Sequence, residues 1–323
     1  MKKYFNCLVI LVVLLLASCD LFLPKSANEE ENLFLDSYQP FSKNTRAVNL
    51  PEASTLKLTD NLPRIDGAIA LYPLYATFVQ AVYPEGKYSR MIYSHSPPPI
   101  VTVGTTPDAY SALINGSADI IFCAAPSSDQ IETAREKGIT FNLTPIGKEA
   151  FVFFVNRRND ISNLTTEQIR GIYSGRITNW SEVGGRKASI RAYQRPKNSG
   201  SQTMLEVIMG EEIIMKPITE NAIRSMDGII TQTAGYKNRN NAIGYSFLFY
   251  TTQMIRNNEI KLLSVDGIVP SIETIQSGTY PYSDYFYAIT TNTQNENVSR
   301  FIQWILSEQG QYLVGETGYV PLN

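Results

Sequence analysis

The sequence predicts an α/β protein with parallel strands, organised as two domains. Short apolar runs with strand character alternate with segments whose apolar residues recur at helical spacing, the order that βαβ units produce. Several helical segments open on hydroxyl residues at capping distance, so their loops end at helix N-termini. The length, 323 residues of which 43% are hydrophobic, supplies ample core for two domains.

Along the chain, Arg64 to Leu71 reads as a short strand and turn, and Pro73 suits the first turn of a helix carrying Leu74, Phe78 and Val82 on one face. Ile100 to Val103 is a strand and Gly104-Thr105-Thr106 a turn. Pro107 to Ile114 is then a helix, for which Thr106 is the expected N-cap. Asp119 to Ala124 is a buried strand. The helix after it, about Asp129 to Lys137, has Ser127 and Gln130 at capping-box spacing and closes at Gly138. Phe151 to Asn156 is a fully buried strand, and Thr165 with Gln168 opens another helix. Ser189 to Tyr193 is a strand that runs into the loop Arg195 to Ser201, ahead of a helix with Met204, Leu205, Ile208 and Met209. Ala242 to Ser246 and Tyr285 to Thr290 are later strands. Val298, Phe301, Ile302, Ile305 and Leu306 mark an amphipathic closing helix.

Composition excludes several functions. Only three Cys are present, and Cys7 and Cys19 lie in the first nineteen residues, so no disulfide framework can form. With a single His and one interior Cys, no zinc site of those ligands is expected, and no metal or cofactor is assigned. Cys123, inside a strand, reads as a buried, inert thiol. There is no Gly-x-Ser-x-Gly elbow and no Ser-x-x-Lys pair, so no catalytic residue is assigned and no enzyme is expected. The formal net charge of −2 attracts no polyanion at long range, which excludes nucleic acid as a partner. Any anion site must therefore work through local donors. Two loops provide them at helix N-termini: Thr105-Thr106 before Pro107, and Ser199-Gly200-Ser201, with Arg195 four residues before Ser199.

At the N-terminus, Lys2 and Lys3 precede an unbroken apolar run, Leu8 to Leu16, which is a secretory signal too short to span a membrane as a helix. Leu16-Ala17-Ser18-Cys19 resembles the lipobox of bacterial lipoproteins. That resemblance implies a signal peptide over 1–18 and acylation of Cys19, which would anchor the chain to a membrane. Residues 19–58 then read as the lipidated Cys and a tether, although Leu33, Phe34, Leu35 and Tyr38 suggest a short docked element within it.

A longer resemblance runs over residues 64–323. Tyr173 to Gly185, Ile190-Arg191 and Arg195 to Thr203 resemble the phosphate-binding proteins of bacterial ABC importers. So do Asn115 to Ile120, Asn241 to Tyr245, Tyr280 to Ser283, Phe301 to Trp304 and Ser307 to Gln311. The resemblance implies a two-lobed periplasmic-binding-protein (type II) fold, each lobe a mixed, mostly parallel sheet with flanking helices, and a ligand cleft between the lobes. Residues 59–147 and 270–323 would form lobe I and 148–269 lobe II, with the chain leaving lobe I near Ile146 to Phe151 and returning between Val265 and Tyr287. It further implies a monomer that binds phosphate or a similar oxyanion and hands it to an ABC permease at the cell membrane.

The family's ligand positions carry over onto Thr106, Arg195, Ser199, Gly200 and Ser201. In the first anion loop, where the family places Ser or Thr, this chain has Ala, Ile, Ala and Leu. Leu71 and Tyr72 are the ligand-binding positions expected there, through backbone N–H groups, with Tyr72, Ser94, Ser96 or Thr105 as replacement donors. Ala124 stands where the family has a charged residue. Losing such bonds weakens binding by roughly 2–5 kcal/mol unless other groups replace them. The second reading is therefore a lipoprotein of the same fold that acts as a sensor or interaction module with an altered ligand.

Overall fold

A computed structural model describes residues 27–86, 88, 99–217, 223, 225–235 and 240–322. The predicted signal, Cys19, and Ser94, His95 and Ser96 lie outside the described residues.

One long strand organises the chain. β3 (Asn142–Asn156) contains Phe151 to Val155, at most 1% exposed, and this unbroken apolar run is buried on both faces. Its first part pairs antiparallel with β9 (Ser283–Thr290), from Asn142 opposite Thr290 to Ala150 opposite Ser283. Its second part pairs antiparallel with β6 (Ala242–Phe247), from Phe151 opposite Phe247 to Val155 opposite Ile243. The two ends of the sheet grow outward from this spine. β9 joins β2 (Ile120–Cys123), which is parallel to β1 (Ile65–Gly67). β6 is parallel to β5 (Arg191–Ala192). β4 (Asn163–Leu164) pairs parallel with β8 (Ser264–Val265), and β7 (Ile260–Leu262) lies on β3.

The mixed α/β class expected from the sequence is present. Parallel pairing holds at the sheet's ends and at the bridges Ile65–Val101 and Ala68–Gly104. Antiparallel pairing is concentrated on β3 and β9, because these strands carry the chain between the two ends in opposite directions. A bulge at Pro145–Gly147 bends β3 where it crosses. Gly147 is required there, since a Cβ atom would lie 2.3 Å from Cζ of Phe286.

The helices follow their sequence signals closely. α2 (Tyr72–Val82) begins with Pro in its first turn. α3 (Thr106–Ile114), α4 (Ser128–Glu136) and α5 (Thr166–Ser174) each open on a complete capping box. α6 (Gly200–Met209) is capped by Ser199 and α7 (Met226–Ala234) by Ser225. α8 (Ile272–Gln276), α9 (Glu296–Ile305) and α10 (Glu308–Thr317) complete the chain.

The N-terminal stretch departs from the expected tether. Ala27–Asp36 is the first described helix, α1, called αN here for its place, and Leu35, Tyr38, Ala47, Leu56 and Leu58 are buried. αN packs on α7 and the π-turn Tyr250–Met254, attached to one end of the sheet. Residues after it lie along the other end. Phe41 N–H donates to Gln80 Oε1, Val48 N–H to Thr77 Oγ1, and Thr55 N–H to Gln309 Oε1. The segment is thus a strap across both halves. Its apolar side chains, Phe34, Leu35 and Tyr38, need cover that a solvated linker lacks, and Arg46 stacks over the Phe34 and Tyr38 rings at 5.1 Å. The helix is too short for a sustained period to stand out in the sequence.

Candidate functional site

The loop between β5 and α6 is fixed before any ligand arrives. Arg195 N–H is shared between Tyr245 Oη at 2.8 Å and Gln202 Oε1 at 3.1 Å, and Tyr245 donates to the same Gln202 oxygen at 2.5 Å. Asn198 adopts φ +69°, a left-handed conformation that Asn tolerates, and turns the chain into α6. Ser199 then caps the helix by accepting from Gln202 N–H. Gly200 and Ser201 form the first turn, whose N–H groups have no partner inside the helix.

Arg195 reaches into this space. Its Nη1 donates to Ile223 O at 3.1 Å, whereas its Nε is buried with no hydrogen-bond partner. Burial holds the guanidinium below its ordinary pKa, and an anion beside it would relieve that desolvation. A buried donor left unmet is unfavourable by about 1–3 kcal/mol, so this atom marks a place where a ligand acceptor belongs.

Opposite lies the start of α3. The N-cap is Thr105, not Thr106 as expected: Thr105 has the extended backbone of a cap, and its hydroxyl and N–H engage Asp108. The sequence offered two adjacent threonines, and Asp108, three residues after Thr105, decides between them. Thr106 is thereby released to face the cleft. A Cβ atom on Gly200 would lie 3.1 Å from Thr106 Oγ1 and 3.6 Å from Ala124 Cβ, so the two walls lie close together and a side chain there would crowd the Thr106 hydroxyl.

Thr105, Thr106, Arg195, Ser199, Gly200 and Ser201 line one cavity of about 230 Å³. The structure therefore brings together five of the seven expected ligand positions. The other two fall elsewhere. Tyr72 is fully buried in α2, edge-on to Tyr75 at 5.3 Å, and lines no described cavity. Leu71 borders the adjoining cavity of about 60 Å³, and its N–H donates to Ala68 O. The N–H groups of Ala68 and Ile69 are also taken, by Phe122 O and Gly104 O. This wall is apolar in side chain, and with the Tyr72 N–H donating to Ile69 O, neither Leu71 nor Tyr72 offers the N–H donor expected of it. Cys123 behind it is fully buried, with its thiol pushed up by desolvation.

The sequence reading missed Glu31 of αN, which also lines the anion cavity. Its carboxylate accepts from the Tyr250 hydroxyl and is 8% exposed. The apolar residues flagged at 33–38 were the signal that this segment docks. In the adjoining cavity, Glu149 accepts from Ala150 N–H and Phe249 N–H, and burial pushes its pKa up to about 8.

A direct clasp joins the walls. Ser127, the cap of α4, donates to Asn198 Oδ1 at 2.8 Å, and Gln130 Nε2 donates to Asn198 O at 3.3 Å.

A cleft floored by a shared sheet, with a buried Arg and two helix starts facing one cavity, defines a small-ligand-binding site. The domain model of the PBP superfamily matches residues 64–309. The chain is 30% identical over 216 residues to the phosphate-binding protein PstS of Borreliella burgdorferi, covering 65% of this chain and 76% of that one. It belongs to this family of phosphate-binding proteins. Two solved structures share the fold. A substrate-binding protein of Clostridium perfringens with bound phosphate has TM-score 0.61 at 21% identity, over 83% of this chain and all of the other. An ABC-type phosphate transport receptor of Vibrio cholerae has TM-score 0.57 at 21% identity, over 82% and 99%. Among the described residues no helix is long and apolar enough to cross a membrane.

Proposed function

We propose that this chain is an extracytoplasmic solute-binding protein, anchored by a lipid on Cys19, that binds phosphate or a closely related oxyanion and presents it to an ABC importer. One observation carries the reading. A buried Arg195 Nε with no partner lies in the same cavity as Ser199, Gly200, Ser201 and Thr106. Those groups are donors only or can act as donors, and an oxyanion is the ligand that satisfies them together.

In this reading residues 59–147 and 270–323 form one lobe and 148–269 the other, with β3 and β9 as the crossing strands. The ligand binds between them, and closure is what the permease recognises. The relatives named above support the phosphate and importer assignments by what their own names state. The protein works as a monomer and uses no cofactor.

A sensor or interaction role is the second reading. It is favoured by Ala124 and by the occupied N–H groups of Ala68, Ile69 and Leu71, which leave one wall poor in donors. Calorimetric titration of the full chain with phosphate, sulfate and molybdate separates the two. Micromolar or tighter phosphate binding supports transport, and absence of binding to every oxyanion supports the alternative.

A further inference from the structure

We propose that the cavity adjoining the anion site is a second subsite, which seats a small uncharged apolar substituent carried by the bound anion, so that the chain takes an organic phosphoryl compound, such as an alkylphosphonate, in preference to inorganic phosphate. The proposal rests on the oxyanion reading above and names the class of ligand for it.

Ala68, Ala70, Thr106, Gly200 and Phe247 border both cavities, so the second lies directly beside the anion donors. Gly200 carries no side chain to close that border, where a Cβ atom would lie 3.1 Å from Thr106 Oγ1. Beyond it the walls are apolar. Leu71, Phe151, Met204, Val207 and Phe286 line a space of about 60 Å³, which holds about four or five water-sized groups or a short alkyl chain. Its two acids are engaged by backbone: Glu149 accepts from Ala150 N–H and Phe249 N–H, and Asp284 from Tyr285 N–H at 2.7 Å. Burial pushes the Glu149 pKa up to about 8, so this carboxyl is mostly neutral at pH 7. Among the described residues no Lys, Arg or His lines the space, so a charged substituent would find no counter-charge there. The shape of the anion points the same way. Inorganic phosphate carries four oxygens at the corners of a tetrahedron, and each one buried needs a donor. Donors stand on the side of Thr106, Arg195 and the first turn of α6, whereas the side toward Leu71 and Ala124 is apolar, with the N–H groups of Ala68, Ile69 and Leu71 bonded within the chain. In a phosphonate one corner is carbon. Three oxygens then meet the donors, and the organic group extends along the apolar wall.

The test is calorimetric titration of the full chain with inorganic phosphate, methylphosphonate and propylphosphonate, for wild type, Ala125→Leu and Met204→Gln. Wild type should bind propylphosphonate about tenfold tighter than methylphosphonate, since each buried methylene favours binding by about fourfold, and tighter than phosphate. Ala125 and Met204 line the apolar space and not the anion cavity. Ala125→Leu fills the space and should lower the propyl-to-methyl ratio by about tenfold. Met204→Gln makes one wall polar at nearly constant volume and should lower the ratio less. Thermal unfolding checks that each variant is folded, and Met204→Gln, at a half-buried position of α6, decides the question if Ala125→Leu does not fold. Propylphosphonate that binds no tighter than methylphosphonate, or no tighter than phosphate, overturns the proposal and leaves the oxyanion reading intact. A ratio unchanged in the folded variants also overturns it, because the substituent would then lie elsewhere. If wild type binds none of the three, the oxyanion reading itself fails and this proposal falls with it.

Discussion

Ser127 donates a 2.8 Å hydrogen bond to Asn198 across the mouth of the cleft, tying the cap of α4 to the loop that carries Arg195. The same Asn198 donates to Asp129, so one side chain clasps both walls. Asn198→Gly keeps the left-handed backbone and removes the two side-chain bonds of the clasp, leaving only Gln130 on the carbonyl of residue 198. We expect anion affinity to fall roughly three- to tenfold as the open form gains population. Titration together with a small-angle scattering radius measures both effects.

Arg195→Ala should abolish oxyanion binding, by about a hundredfold or more, with little change in unfolding temperature. The fold is expected to persist because the loop is held by the backbone N–H of residue 195 and by Tyr245 and Gln202, not by the guanidinium. Arg195→Lys should recover only part of the affinity, since a point charge does not replace a planar fork. Calorimetry and thermal denaturation of the two variants provide the check.

Stability should fall as pH rises from about 4.5 through about 8. Burial raises Glu149 from 4.5 to about 8 and Asp66 from 3.8 to about 6, so both carboxyls bind protons more tightly in the folded chain. Such groups stabilise fully below their unfolded pKa, and that contribution is lost as pH passes the folded one. Glu149→Gln should flatten the upper part of this dependence. Urea unfolding at pH 5, 6.5 and 8.5 measures it.

Gly147→Ala should destabilise the fold by about 2–4 kcal/mol, because the new methyl would meet the Phe286 ring at the bulge where β3 crosses. The ring is buried and cannot swing into solvent. Denaturant unfolding monitors the loss.

Leu35→Ala should detach the strap before the rest of the chain unfolds. The side chain is 2% exposed, and its truncation should cost about 2–3 kcal/mol, enough to open a peripheral helix locally. Limited proteolysis is expected to cut first near residues 27–45. A chain beginning at residue 59 would lose the burial of Leu35, Tyr38, Leu56 and Leu58, and should melt at lower temperature.

Much of this was legible in the residues. Ser127 with Gln130, Thr165 with Gln168, and Ser199 before its apolar helix each mark a start that the structure reproduces, because caps are local chemistry. The Phe151 to Val155 run announced the buried spine for the same reason. Placement across the cleft was less legible. Thr105 and Thr106 are indistinguishable as caps until Asp108 chooses one. The N–H groups of Ala68 and Ile69 look available in sequence and are consumed by Phe122 and Gly104 far along the chain, while that of Leu71 turns back onto Ala68. Glu31 reaches the site only because the strap folds back over Tyr250, 219 positions later, which no local pattern encodes.

The most direct measurement is the titration of the full chain with inorganic phosphate, wild type beside Arg195→Ala. Saturable binding at about 1 μM or tighter in wild type, and none in the variant, is the predicted result. Absence of binding in wild type, or equal binding in both, would contradict an oxyanion site built on Arg195 and the first turn of α6.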